Sequence, residues 1–132
     1  MAECDWAILC DYAFMDIGKK MCMIGVFDRV FAPAVPSTLR QSSVSLKLLG
    51  NPGENVNFRV EVSRPAGGQL ANVGGTLVIP DTGSADVQFT LAGLPLPDYG
   101  PYSVNVFVND ELAKVSTFVV AQPPPQGQPP QS

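Results

Sequence analysis

The sequence predicts an all-β fold, an antiparallel β-sandwich of about 7–9 strands. Three observations predict it. Apolar and polar residues alternate with a period of two over several stretches. Turn-forming clusters recur at intervals of roughly 8–12 residues, the spacing of a sandwich. No helical period is sustained anywhere. At 132 residues, with 45% hydrophobic residues, the chain is sized for one domain with its own core and needs no disulfide or metal to hold it.

The first strand is the most apolar. Trp6-Ala7-Ile8-Leu9-Cys10 is nearly unbroken, and Asp11-Tyr12-Ala13-Phe14 continues it. Asp16-Ile17-Gly18-Lys19 has turn chemistry, and a second strand is expected over Met21–Phe31. A helix over Trp6–Met15 competes with this reading, but the turn and the apolar run behind it favour a hairpin. Both strands are apolar on both faces, which predicts burial on two sides or an extra contact. Gly25 suits a bulge or a close backbone approach.

Ala32-Pro33-Ala34-Val35-Pro36-Ser37 is a connection, because proline cannot sit in a central ladder. Val44, Leu46 and Leu48 then alternate with Ser43, Ser45 and Lys47, and Asn51-Pro52-Gly53-Glu54 turns the chain. Val56, Phe58, Val60 and Val62 alternate with Asn57, Arg59 and Glu61, the pattern of a strand with one dry face. Arg64-Pro65-Ala66-Gly67-Gly68 breaks it, and a short strand over Thr76–Ile79 ends at Pro80-Asp81-Thr82-Gly83. Val87, Phe89 and Leu91 mark another strand, followed by a crossing loop with Pro95, Pro97 and Pro101.

The last two strands are expected over Tyr102–Val108 and Leu112–Val120. With Asp110-Glu111 as a two-residue turn, Val106 faces Val115, Val104 faces Thr117 and Tyr102 faces Val119. Residues 1–121 therefore form the sandwich domain. Residues 122–132, made of Gln, Pro, Gly and Ser, hold no hydrophobe to bury and are expected to be a disordered tail. Pro123-Pro124-Pro125 suits either a solubilising end or a polyproline ligand.

The composition excludes several functions. The chain has no histidine, which removes histidine acid–base chemistry, the usual nucleophile pairs and most metal sites. Cys4 and Cys10 would lie ~20 Å apart along one strand, out of disulfide reach, and the spacing to Cys22 is not that of a zinc site. The three thiols read as small hydrophobes in a reducing compartment. Eight basic residues are scattered, with only Lys19-Lys20 adjacent, so neither nucleic acid nor an anionic membrane is an expected partner. The acidic start of the chain is not a secretory signal, and no apolar run reaches the length of a spanning helix; a cytoplasmic location is expected.

The run Asp98-Tyr99-Gly100-Pro101-Tyr102-Ser103-Val104 resembles the approach to the penultimate strand of an immunoglobulin-like sandwich, where a tyrosine pins the corner. The Cys–Trp–Cys core of antibody domains is missing. Trp6–Ala13, Gly18-Lys19 and Ile24-Gly25-Val26-Phe27-Asp28-Arg29-Val30 together resemble the opening of an uncharacterised bacterial family. Its members carry an apolar stretch ending in Asp-Tyr, a Gly-Lys turn and an Ile-Gly-x-Phe segment. The likeness spans most of residues 4–121. It implies a standalone cytoplasmic β-sandwich of unknown function, with no catalytic motif to carry over.

No cluster of reactive groups emerges, and neither an enzyme nor a cofactor is expected. Asp5 and Asp11 are too far apart along a strand to act together, and Asp110-Glu111 is turn chemistry. Asp11, in an apolar strand, is expected to pair with Arg29 or Lys20. Asn51–Glu54 and Asp81–Asp86 lack the ligand density of a calcium loop. Gly67-Gly68 and Gly74-Gly75 read as hairpin glycines, with no following helix to cradle a phosphate.

The expected role is a non-catalytic interaction or assembly module, with a protein partner or a second copy. In the register above, Phe107 and Phe118 point outward beside Asn105 and Lys114, and these four residues form the candidate interaction face. The N-terminal hairpin or Ala32–Thr38 folding over the two rings is the other outcome. A small-molecule or glycan site is the alternative role, built on loop ends near Asn51–Glu54, Pro80–Ser84 and Pro95–Tyr102, with Tyr99 and Tyr102 for stacking.

Overall fold

A computed structural model describes residues 2–124. The described chain is all-β: β1 (Glu3–Met15), β2 (Met21–Val26), β3 (Arg29–Phe31), β4 (Ser37–Leu49), β5 (Asn55–Ser63), β6 (Gln69–Val78), β7 (Ser84–Leu96), β8 (Gly100–Val108) and β9 (Glu111–Ala121). They form a four-stranded sheet in the order β2-β1-β4-β7 and a five-stranded sheet in the order β3-β9-β8-β5-β6. All ladders are antiparallel except β3 with β9. From residue 125 onward, the tail lies outside the described residues.

The alternating residues fill the space between the sheets. Val44, Leu46 and Leu48 from β4 meet Val56, Phe58, Val60 and Val62 from β5 and Tyr102, Val104, Val106 and Val108 from β8. All are buried, and each aliphatic side chain fully withdrawn from water contributes about 1.5–3 kcal/mol. Strand alternation matters because a slip of one residue would turn this whole row into solvent.

Besides β7, which runs on through Pro95 to Leu96 where a crossing loop was expected, three elements differ from the sequence expectation. The expected second strand, Met21–Phe31, breaks at Phe27-Asp28. β2 stays in the four-stranded sheet and β3 crosses to the other, where the Val119 N–H donates to the Asp28 carbonyl at 2.9 Å. β6 is a ten-residue strand rather than the short Thr76–Ile79 segment, because Gly74-Gly75 lies inside it and not in a hairpin turn. The glycines are there for close approach: a Cβ at Gly74 would come within 2.7 Å of the Phe58 carbonyl oxygen, and one at Gly75 within 3.1 Å of the Phe58 ring.

The third difference is the register of the last hairpin. The turn residues are Asn109 and Asp110, with φ of 50° and 66°, and not Asp110-Glu111. Two consecutive positive-φ residues define a type I′ turn, which Asn and Asp tolerate and which matches strand twist. A bulge follows between Val106 and Phe107, and Val106 then pairs with Lys114, Val104 with Ser116 and Tyr102 with Phe118. Relative to the expected pairing β9 is shifted by one residue. Phe118 and Val120 enter the core, whereas Val115 and Thr117 face outward.

Tyr102 closes the corner as expected. Its Oη donates to the Asp98 carbonyl at 2.7 Å and accepts from the Asp98 N–H at 3.0 Å. Arg64 ties the same corner to the β5–β6 turn through Asp98, at 2.8 Å. Removing the hydroxyl strands two backbone groups at a partly buried corner. Tyr102→Phe is therefore expected to lower unfolding free energy by about 1–3 kcal/mol, read as a shift in the urea midpoint with an unchanged slope.

Candidate interaction surface

The four residues of the expected face do not form one surface. Phe118 is in the core, 1% exposed, stacked on Tyr102 with ring centroids 5.1 Å apart and met edge-on by Phe27 at 6.1 Å. The one-residue shift of β9 put it there. Phe107 stays on the outer face of its sheet, half-buried beneath the Arg59 guanidinium, which lies 4.3 Å from the ring centroid. Glu61 and Asp110 hold that guanidinium at 3.1 and 3.5 Å. Asn105 reaches Ser63 across the ladder at 3.4 Å. Lys114 turns toward the other sheet, where its Nζ donates to the Asp5 carbonyl at 3.1 Å.

The loop ends of the alternative reading are also separated. Asn51–Glu54 and Pro80–Ser84 adjoin one another, with the Gly53 N–H donating to the Ile79 carbonyl and the Gly50 N–H to that of Gly83. Pro95–Tyr102 lies at the opposite end, where β4 and β7 finish at Ser37 and Leu96. Tyr102 is fully buried, and the Tyr99 hydroxyl donates to the Ala32 carbonyl at 2.9 Å, so neither ring is presented for stacking as expected.

Most of the exposed large hydrophobic side chains among the described residues lie instead on the N-terminal hairpin. β1 pairs with β4 only as far as Cys10–Ser43; from there its one ladder partner is β2. Gln88 of β7 donates to the Phe14 carbonyl at 3.4 Å, although β7 is two strands from β1. The hairpin therefore bends over the outer face of its own sheet. This explains why Ser43 and Ser45, which point away from the core, are nevertheless buried.

Cross-strand pairing puts Tyr12 with Ile24 and Phe14 with Cys22 on one face, and Ala13 with Met23 and Met15 with Met21 on the other. Ala13, Met21 and Met23 are half-buried, but the Tyr12–Ile24 face is left open. Tyr12 is 52% exposed, Phe14 45%, Ile24 55% and Val26 62%. Asp11 is exposed, and its carboxylate lies against Gly25 rather than Arg29 or Lys20. Gly25 has φ of 72°, and a Cβ there would meet that carboxylate. The turn is closed by the Asp16 N–H to the Lys20 carbonyl at 2.9 Å and the Lys20 N–H to Asp16 Oδ1 at 2.8 Å. The sequence signal for this surface was the two-faced apolar pattern, whose second explanation was an extra contact.

The thiols are spread over this same region. Cys4 and Cys10 are buried and Cys22 is half-buried on the hairpin. Burial pushes the Cys10 thiol up, against a smaller pull from the Ser45 hydroxyl; burial also raises Cys4, offset in part by the Lys114 charge. A further groove of about 350 Å³ runs between the β6 and β7 edges, lined by Leu70, Val73, Leu91, Leu94 and Pro95 among others. Among the described residues no group of three or more Cys, Asp or Glu is placed to hold a metal ion. Also among them, no helix is long and apolar enough to cross a membrane.

Two outcomes follow from these placements. Phe118→Ser is expected to cost about 3–5 kcal/mol in stability, as for an emptied aromatic core site, and Phe107→Ser about 1 kcal/mol or less, both measured by denaturant unfolding. For the thiols, Cys22 alone should react with an aromatic disulfide reagent in the native protein, Cys4 and Cys10 only on unfolding. The raised thiol pKa values favour the folded state while the thiols are protonated. That stabilisation is complete below the unfolded-state value near 9.0 and is lost as pH rises through the higher folded values. The urea midpoint should therefore fall as pH rises above about 9.

Solved structures are similar to this chain at great sequence distance. Pseudomonas fluorescens alkylpurine DNA glycosylase AlkC, bound to DNA containing an abasic site analog, is 9% identical over 86% of this chain, with a TM-score of 0.51. A glycosyl hydrolase family 2 member from Bacteroides cellulosilyticus DSM 14838 is 9% identical over 64% of this chain, with a TM-score of 0.43. This chain spans 30% of the first protein's length and 14% of the second's. No curated protein sequence matches it. Residues 5–121 match the Family of unknown function (DUF6941), and the chain belongs to that family.

Proposed function

We propose that this chain is a non-catalytic protein-interaction module whose contact surface is the β1–β2 hairpin. One observation carries the reading: Tyr12, Phe14, Ile24 and Val26 stand about half exposed or more on one strand pair that has a free edge. Isolated exposed hydrophobes are ordinary, but a contiguous set in one element is the mark of an interface. Tyr and Phe bring large contact area at low conformational cost.

The comparisons bear on this only through fold. The glycosylase neighbour is bound to DNA, but 9% identity transfers no ligand, and here Lys47, Arg59 and Arg64 are already held by Asp86, Glu61 and Asp98. That supports a protein partner over a nucleic acid. The tyrosine corner and the parallel β3–β9 pair support the immunoglobulin-like expectation. Three free cysteines support a reducing, cytoplasmic setting. A small-molecule or glycan site on the loop ends is disfavoured by their separation.

The test compares proteins retained by the immobilised wild type with those retained by Tyr12→Lys/Ile24→Lys. Both positions are surface-exposed, so the melting temperature should hold. Specific partners should drop at least about tenfold in the variant, since a charge in an apolar contact costs more than 1.4 kcal/mol. An unchanged partner set in a folded variant rules the hairpin out.

A further inference from the structure

We infer that the partner on this hairpin is a second copy of the same chain, joined by antiparallel pairing of β2 with β2 about a two-fold axis. This rests on the hairpin reading above and names its occupant. β2 is the last strand of the four-stranded sheet, with β1 on one side and, among the described residues, no strand on the other. Its sequence, Met-Cys-Met-Ile-Gly-Val, contains no proline and no charge. Natural edge strands are normally blunted by such residues, and an apolar edge without them is a template for another strand.

The charges at the two ends of β2 decide both orientation and occupant. Lys19 and Lys20 precede it at the hairpin tip. Asp28 follows it at the base, where the Asp11 carboxylate also lies against Gly25. Asp16 is at the tip too, its carboxylate accepting the Lys20 backbone N–H, and the two lysines outweigh its charge. Arg29 belongs to β3, which has crossed to the other sheet beside Val119. The hairpin is thus basic at the tip and acidic at the base. A parallel copy would bring lysine to lysine. An antiparallel copy brings each tip to the other base.

Centring the two-fold axis on Ile24 places Lys20 opposite Asp28 of the second copy, and the reverse contact occurs at the other end. Such an interface is self-complementary, as a two-fold contact must be. It joins four strands from each copy into one continuous sheet and brings Ile24 and Val26 of both copies together at its centre, next to Tyr12 and Phe14. A six-residue strand buries little area, so the dimer is weak and concentration-dependent.

The experiment is sedimentation equilibrium of the full chain from micromolar to millimolar concentration. It includes Lys19→Glu/Lys20→Glu, Asp11→Lys/Asp28→Lys, and the variant carrying all four changes. All four positions are exposed, and circular dichroism checks that each variant is folded. A wild-type dimer is expected. Each two-site variant should weaken it at least about tenfold, because its ends then repel, and the four-site variant should recover it, because the tip and base have exchanged signs.

A dimer indifferent to these charges overturns β2 pairing. A dimer weakened by both two-site variants but not recovered by the combination overturns the antiparallel register. A wild type that stays monomeric overturns the dimer altogether. In that case the Tyr12→Lys/Ile24→Lys comparison separates the two readings: partners still lost in the variant leave the hairpin surface standing with a different occupant, and partners retained remove both.

Discussion

Tyr102 holds the two sheets in mutual register. Its ring stacks on Phe118 from the neighbouring strand, and Phe118 in turn receives Phe27 from the segment that crosses between sheets. Its hydroxyl is bonded at both the N–H and the carbonyl of Asp98, so the loop from β7 has one geometry for entering β8. Burial keeps the phenol protonated, raising its pKa despite the hydrogen bond to Asp98. From this point Val104, Val106 and Val108 follow inward at alternate positions, and the facing rows of β4 and β5 are matched to them.

The other edge of the molecule is built differently. β1 is central to its sheet only through Cys10; past that point it has a partner on one side and folds back over the sheet. Its first half shares the core with Val44 and Leu46. Its second half carries equally apolar residues, of which Tyr12 and Phe14 stay about half exposed. Ser43 and Ser45 fit this arrangement: β4 is covered on its outer face, and small side chains let the hairpin approach. A chain that spends so many hydrophobes outside its core supports the view that the hairpin meets another surface.

Much of the fold was legible because a sandwich is written in period two. The strands from Ser43 to Leu49, Asn55 to Ser63 and Ala85 to Leu91 could be assigned, inward faces included, from alternation alone. The corner was legible as a resemblance of the run Asp98–Val104, and the hydroxyl bonds to Asp98 assign it to Tyr102. The β8–β9 register was not, because Asn109-Asp110 and Asp110-Glu111 are both acceptable turns and differ by one residue. The turn change alone moves the pairing by two residues and would leave Phe118 facing outward; the bulge beside Val106 takes one residue back and brings Phe118 into the core. Gly74-Gly75 was misplaced for a similar reason: glycine marks both turns and close approaches, and only the Phe58 backbone beside it tells which.

The sequence by itself determined the fold class, the dry face of each alternating strand, and the absence of histidine chemistry, since each depends on residue type and local period. It also marked the first hairpin as apolar on two faces. The tertiary structure decided what those faces meet. Whether an apolar strand is covered depends on which strands lie beside it, and that is settled by long-range pairing: β4 leaves β1 at Cys10, and no later strand returns to cover β2. The candidate surface therefore moved from the last hairpin to the first, although the residues of both were equally visible in the chain.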